Sequence, residues 1–218
     1  MTGPGPGIPF VLAAPSGTGK TTVCREALRR DPRLVLSISH TTRAPRPGEH
    51  DGVEYHFVDD AEFQRMVGAG EFLEHAEYSR HCYGTSWAAI LRPLERGLDV
   101  LLEIETEGAR QVRDRRPDAH LVFLLPPSLP ELERRLRGRG TDDPQEIARR
   151  LEIARREFGA AAFFDSFVIN ERVAEAAADV LEIVAAARAG ALDRLGDRFR
   201  LPRARARLDA ILAGWLPS

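Results

Sequence analysis

Residues Ala13 to Thr22 read Ala-Ala-Pro-Ser-Gly-Thr-Gly-Lys-Thr-Thr, and the reading of this run decides the fold. Ahead of it, Ile8 to Ala13 is an apolar stretch suited to a buried strand, and behind it Val23 to Arg30 suits a helix. A strand, a Gly-rich turn, then Lys and Thr at a helix start form the pattern of a phosphate-cradling loop. Gly17 and Gly19 let the backbone wrap close to phosphate oxygens because they carry no Cβ. Unpaired N–H groups at the helix start face the anion. Lys20 adds a point charge near the outer phosphates, and the Thr21 hydroxyl is suited to Mg²⁺. The full pattern, G-x-x-x-x-G-K-[ST], has Ala14 where glycine is usual. A methyl group is tolerated there if the backbone keeps φ negative.

Outward from the loop, apolar segments alternate with helical patterns. Leu34 to Ile38, Val100 to Ile104, His120 to Leu125 and Phe167 to Ile169 read as strands. Glu107 to Arg115, Leu129 to Arg137, Pro144 to Phe158 and Ala174 to Arg188 read as helices. Short apolar strands separated by helices imply an α/β fold with a parallel sheet covered on both faces. Residues 39–97 break the rhythm with Pro45, Pro47, Gly48 and Gly52, then strand-like pieces such as Glu54 to Val58, and are expected to form an inserted lobe. The polar run 138–147 separates two Arg-rich helices and has the composition of a mobile lid. Beyond residue 188 the character changes again: from Arg188 to the end, seven Arg stand against three Asp, with apolar residues spaced for one or two short amphipathic helices.

The bulk numbers bound the class. A chain of 218 residues is expected to make one mid-sized domain with insertions. A net charge of −2 gives no reason to invoke nucleic acid or an acidic membrane surface. Two cysteines, Cys24 and Cys82, point to a reducing compartment without a disulfide framework. The Gly/Pro-rich start lacks the basic and apolar regions of a signal peptide, and no apolar run approaches membrane-helix length, so a cytoplasmic location is expected.

A second constellation lies at residues 39–46, Ser-His-Thr-Thr-Arg-Ala-Pro-Arg. Arg43 and Arg46, with hydroxyls before them and a Pro between, make an anion clamp, because the planar guanidinium fork binds phosphate bidentately. Tyr55, Tyr83 and Thr85 can add phenol and hydroxyl groups, and a carboxylate such as Glu74 can accept two N–H bonds from a guanine edge.

With these motifs the chain resembles guanylate kinase. The stretches that carry the resemblance are APSGTGKTT, SHTTRAPRPGE, GEFLEHAEY, YGTS, LEIETEGARQVR and RRLRGRGTDDPQEIARRL, in family order over residues 8 to about 188. The resemblance implies a P-loop kinase core at 1–38, 98–138 and 148–188, a GMP-binding lobe at 39–97, a lid at 139–147, and a C-terminal extension at 189–218 outside the family pattern. It implies ATP plus GMP (and dGMP) giving ADP plus the nucleoside diphosphate, with Mg²⁺, in purine metabolism, by a monomer or homodimer.

Carried over position by position, the ATP side comprises Ala14, Pro15, Ser16, Gly17, Thr18, Gly19, Lys20, Thr21 and Thr22, with Asn170 near the adenine. Ser39, Arg43, Arg46, Tyr55 and Tyr83 match the GMP phosphate site, and Glu74, Thr85 and Glu105 the guanine side. Thr21 and Glu103 match the metal positions, and Lys20, Arg43, Arg135, Arg139 and Arg150 those that act on the transferring phosphoryl group. Glu103, Glu105 and Glu107 depart from the family's usual Asp, Asp and Gln; the first two keep their charge and gain a methylene. His40 and Cys82 also replace more usual residues. Two other functions stay open on the residues: a related P-loop kinase with another phosphorylated acceptor, such as a ribose bisphosphate, and a protein-binding module that has lost catalysis. The intact Arg43/Arg46 clamp with Glu74, Tyr83 and Thr85 favours a guanine nucleotide, and Lys20 with the lid arginines favours catalysis.

Overall fold

The structure, a computed structural model, describes residues 5–78, 80–138, 144–159 and 161–213. In chain order the elements are β1 (Pro9–Ala13), α1 (Lys20–Arg30), β2 (Leu34–Leu36), β3 (His40–Thr41), β4 (His56–Phe57), α2 (Asp60–Gly68), β5 (Phe72–Tyr78), β6 (His81–Ser86) and α3 (Trp87–Glu95). There follow β7 (Asp99–Ile104), α4 (Thr106–Arg115), β8 (His120–Leu125), α5 (Leu129–Arg137), α6 (Pro144–Gly159), β9 (Ser166–Ile169), α7 (Val173–Arg188) and α8 (Leu201–Ala213).

One sheet has the order β2-β7-β1-β8-β9. β2 runs parallel to β7, Leu34 opposite Asp99, and β8 parallel to β9, Val122 opposite Ser166. All five residues of β1 are buried, as are five of the six in β8. Continuous burial means that both faces are covered, which is why these strands read as unbroken apolar runs. The second sheet, β4-β3-β6-β5, is built from very short strands and one hairpin, with β5 and β6 antiparallel.

The chain divides into two compact units. The first comprises the described chain up to Phe10 with Arg33–Leu102 and Glu107–Ala119. Its local core includes Phe63, Met66 and Phe72, the Phe63 and Phe72 rings stacked at 4.6 Å. Two of its helices start on side-chain caps: the Asp59 carboxylate accepts from the Glu62 N–H at 2.7 Å at α2, and Ser86 caps α3 through the Ala89 N–H. The second unit comprises Val11–Pro32, Glu103–Thr106 and the chain from His120 on. There Phe123 gathers Phe164 at 4.7 Å, Phe158 at 6.3 Å and Phe167 at 6.4 Å.

Some boundaries differ from the sequence expectation. α1 begins at Lys20, three residues earlier than its apolar pattern, because the loop itself turns the chain into the helix. β2 ends at Leu36; Ser37 then bonds the Leu101 carbonyl through its N–H at 3.0 Å. Glu54 to Val58 yields only the two residues of β4. α6 starts at Pro144, where the helical reading of Pro144 to Phe158 placed it, so the last four residues of the polar run 138–147 are helical, while 139–143 of the expected lid lie outside the described residues. The tail forms two 3₁₀ turns and α8, with Leu195, Phe199, Leu208 and Ile211 buried. Among the described residues no helix is long and apolar enough to cross a membrane.

Candidate active site

In the second unit the loop between β1 and α1 is shaped by close approach. Gly17 (φ 88°) and Gly19 (φ 94°) both hold left-handed backbone. A Cβ on Gly19 would lie 2.6 Å from Asn170 Nδ2, and one on Gly17 2.7 Å from Leu136 Cδ2. Only glycine satisfies the dihedral and the space together. Ala14 is 1% exposed, and Arg80 is the one non-glycine among the described residues with positive φ, so the methyl of Ala14 meets no backbone strain. α1 has no side-chain cap at Gly19, which leaves its first N–H groups for an anion.

Lys20 and Thr21 follow directly. Lys20 Nζ donates to the Ile104 carbonyl at 2.7 Å and to Glu105 Oε1 at 3.0 Å. Burial opposes the charge on Lys20, but the carboxylates of Glu105 and Glu103 outweigh it and hold the ammonium well above its ordinary value. The Thr21 hydroxyl donates to the Glu103 carboxylate. This oxygen pair at the loop fits Mg²⁺, which takes one or two protein oxygens and completes its shell with water and substrate phosphate. Among the described residues no cluster of three His, Cys, Asp or Glu is placed to hold a metal ion.

Asn170, 2% exposed, donates Nδ2 to the Thr18 carbonyl at 2.7 Å and so ties the end of β9 to the loop. Arg135 spans the same pair, with Nη1 on the Thr18 carbonyl at 3.2 Å and Nη2 on the Asn170 carbonyl at 3.1 Å, while Glu131 holds its Nε at 2.7 Å. Arg150 is half-buried on α6, and Arg139 lies outside the described residues. Glu105, matched by sequence to the guanine side, is brought to Lys20 in this unit. Sequence reasoning missed Glu157. Its carboxyl accepts from Thr106 Oγ1 at 3.4 Å, and burial and the Glu105 charge push it well above the carboxylate range.

In the first unit, Ser39 on the approach to β3 meets Thr85 on β6, oxygen to oxygen at 3.0 Å. The Thr85 hydroxyl donates to Glu74 Oε1 at 2.6 Å, and Glu74 is 4% exposed. Arg43 Nη2 lies 2.9 Å and 2.8 Å from the two carboxylate oxygens of Glu49, while its Nη1 holds the Ala44 carbonyl at 2.7 Å. The guanidinium carbon sits 5.5 Å from the Tyr55 ring centre, and the Tyr55 and Tyr83 rings are 5.9 Å apart. Glu49 also accepts the Arg46 N–H at 2.8 Å. Its carboxyl lies below its ordinary range: burial works against this, and the Arg46 N–H and the Arg43 guanidinium overcome it. Glu49 was legible only as the acid of the Pro-Gly-Glu run, since nothing in the spacing shows that the chain folds back on Arg43. His40 packs against His56 with the rings tilted and their centres 4.7 Å apart, and burial and that neighbour lower its affinity for a proton.

The sequence profile described as Guanylate kinase matches residues 7–187. The chain belongs to the guanylate kinase family. It is 55% identical over 176 residues to a guanylate kinase of Thermobifida fusca, covering 81% of this chain and 90% of that one. It is 50% identical over 208 residues to one from Thermus thermophilus, covering 93% of this chain and 94% of that one. The crystal structure of guanylate kinase from Anaplasma phagocytophilum superposes with a TM-score of 0.71 at 30% identity, covering 93% of this chain and 94% of that one. The parallel-sheet core with its Gly-rich loop is thus the P-loop kinase core of that family.

Proposed function

We propose that this guanylate kinase family member transfers the γ-phosphoryl group of ATP to GMP, and to dGMP, giving ADP and the nucleoside diphosphate. The observation that carries the reading is the hydrogen-bonded chain Ser39–Thr85–Glu74, which fixes the buried Glu74 carboxyl group in the lobe that also holds the Arg43 clamp. A carboxylate complements the adjacent N–H donors of a guanine edge, and a hypoxanthine or adenine edge lacks that pair.

In the reaction an oxygen of the GMP phosphate attacks the γ-phosphorus of ATP. The bond from the γ-phosphorus to the bridging oxygen breaks, and its electron pair leaves with ADP. The protein need do little covalent chemistry, and its work is positioning and charge neutralisation. Gly17, Gly19 and the uncapped start of α1 cradle the triphosphate. Lys20 meets the outer phosphates and is released from Glu105 as they take over its charge. Thr21 and Glu103 would hold Mg²⁺, which supplies neutralisation of the phosphate oxygens. Arg43, Arg46, Tyr55, Tyr83 and Ser39 are assigned to the GMP phosphate, and Glu74, Thr85 and Glu105 to its base. Arg135, Arg139 and Arg150 are assigned to the charge that spreads over the transferring group. Arg135 has its guanidinium fixed on the loop backbone in advance. The setting is cytoplasmic nucleotide metabolism.

The test is a coupled ADP-release assay across GMP, dGMP, AMP, UMP and sugar phosphates. Turnover with GMP and dGMP alone is expected. Turnover with another acceptor and none with GMP overturns the reading. Failure to bind ATP–Mg²⁺ at millimolar ligand would instead favour a binding module.

A further inference from the structure

The register of β5 against β6 slips at the guanine side of the first unit. Phe72 stands opposite Ser86, yet Glu74 stands opposite Thr85, so two steps on β5 match one on β6 and Leu73 is the extra residue. Such a bulge bends its strand, re-aims the side chains beside it and leaves backbone groups without ladder partners. Those groups must find other partners or carry a desolvation cost. β5 is also the end strand of its sheet, so among the described residues its outer edge has no neighbouring strand.

Two side chains of α4, one turn apart, take up this edge. Arg115 Nη1 donates to the carbonyl of Phe72 at 3.0 Å and of Leu73 at 2.9 Å, the two residues on the bulge. Gln111 faces the next outward position with both ends of its amide. Its Oε1 accepts the His75 N–H at 3.1 Å, and its Nε2 donates to the His75 carbonyl at 2.8 Å. The Gln111 amide thereby does for His75 what a neighbouring strand would do. Residues 72, 73 and 75 are all held by α4, and the residue between the two grips is Glu74. From the other side Thr85 holds the Glu74 carboxylate itself.

We infer that Gln111 and Arg115 are positioning residues for guanine selection: they lock the β5 bulge so that the Glu74 carboxylate meets the N1–H and 2-amino groups of the base. The inference rests on the reading of Glu74 as the guanine acceptor. Neither α4 residue touches the nucleotide in this account; each acts through the backbone on one side of Glu74.

The experiment measures kcat/KM for GMP and for inosine monophosphate, which lacks the 2-amino group, and KM for ATP. The proteins are the wild type, Gln111→Met, Gln111→Glu, Arg115→Met, Glu74→Gln and the double variant Glu74→Gln/Gln111→Met. Gln111→Met keeps length and loses both hydrogen bonds, and its GMP-to-inosine-monophosphate ratio is expected to fall about tenfold, the scale of two lost neutral hydrogen bonds. Arg115→Met should lower the ratio in the same direction. Gln111→Glu keeps the acceptor for the His75 N–H and should fall between. The KM for ATP should stay within about twofold. On the Glu74→Gln background, Gln111→Met should cost the ratio nothing further, because coupled residues are not additive. A ratio is independent of the fraction of each variant that folds. Equal losses for both acceptors, or a full further loss on the Glu74→Gln background, would show a merely structural role and overturn the inference. Failure of the underlying reading shows elsewhere, as a wild type that does not distinguish the two acceptors or a Glu74→Gln variant with an unchanged ratio.

Discussion

Arg43 and Glu49 form an ion pair in which one guanidinium nitrogen lies 2.9 Å and 2.8 Å from the two carboxylate oxygens, and only 12% of the Arg43 side chain is exposed. The Arg43 side chain is therefore already ordered, and in its proposed role at the GMP phosphate it has less rotamer entropy to lose on binding. Replacing Arg43 with Ala is expected to raise KM for GMP by about 10–100-fold, the scale of a charged hydrogen bond, and to leave the KM for ATP unchanged. Steady-state kinetics with each substrate varied in turn checks this; equal weakening of ATP would make Arg43 structural.

The same pair sets an acid dependence. The folded-state carboxyl of Glu49 is held below its ordinary range, so its contribution to stability is present above the unfolded pKa of about 4.3 and is lost as pH falls through the lower folded value. Glu49→Gln should therefore melt below the wild type at neutral pH, and the gap should close with acidification below about pH 4. Thermal denaturation of both proteins from pH 7 to pH 3 measures the gap, and a gap constant over that range would contradict the linkage.

Lys20 stands between the Ile104 carbonyl and the Glu105 carboxylate at the start of α1. Lys20→Ala is expected to lower kcat by about 10²–10³, the usual cost of one preorganised donor to a developing charge, with GMP affinity retained. Single-turnover kinetics and equilibrium binding of GMP separate the two effects. Retained turnover would remove Lys20 from the catalytic group.

Glu157 titrates in the opposite sense to Glu49. Burial and the charge of Glu105 raise its folded pKa above the unfolded value, so its favourable protonated state is fully held at low pH and stability is lost as pH climbs from about 4.3 through the raised value. Glu157→Gln imitates the neutral form. It should match the wild type in acid and exceed it in alkali, as read by urea unfolding at pH 5 and pH 8.5. A variant less stable at both pH values would show that the carboxyl is needed for its bond with Thr106.

The loop distinguishes two small residues. Ala14 is buried with no positive φ, so Ala14→Gly should leave kcat within about twofold and cost about 0.5–1 kcal/mol through unfolded-chain entropy. Gly19→Ala meets a φ of 94° and Asn170 Nδ2 at 2.6 Å, and should cost about 1–2 kcal/mol from the dihedral alone while raising KM for ATP. Chemical denaturation and ATP kinetics on the two variants, side by side, test the contrast.

Much of the core was legible because its signals are local. The run from Ala13 to Thr22 carries strand, turn and helix start within ten positions, and β8 and α5 fall on their expected bounds. The lobe was less legible: β3 and β4 have two residues each, too few for a periodic pattern. Glu49, Gln111, Arg115 and Glu157 were invisible as site residues. Each acts on a partner reached only through the folded chain: Arg43 across a turn, His75 36 residues away, Phe72 43 away and Thr106 51 away. A charged or amide residue on a helix reads as solvated surface until its partner is known.

By itself the sequence determined that a Gly-rich loop of the phosphate-binding pattern opens an α/β core, and it placed two arginines with a Pro between them where the anion clamp is proposed. Glycine spacing, apolar runs and arginine chemistry are properties of neighbouring residues, so they survive in one dimension. The tertiary structure alone decided which charges are paired before substrate arrives: Arg43 by Glu49, and Lys20 by Glu105. It also decided that β5 carries a bulge beside Glu74 whose outer backbone groups are bonded by Gln111 and Arg115 of α4. Pairing and aim depend on distances of a few ångströms between residues far apart in the chain, and only packing brings those distances about.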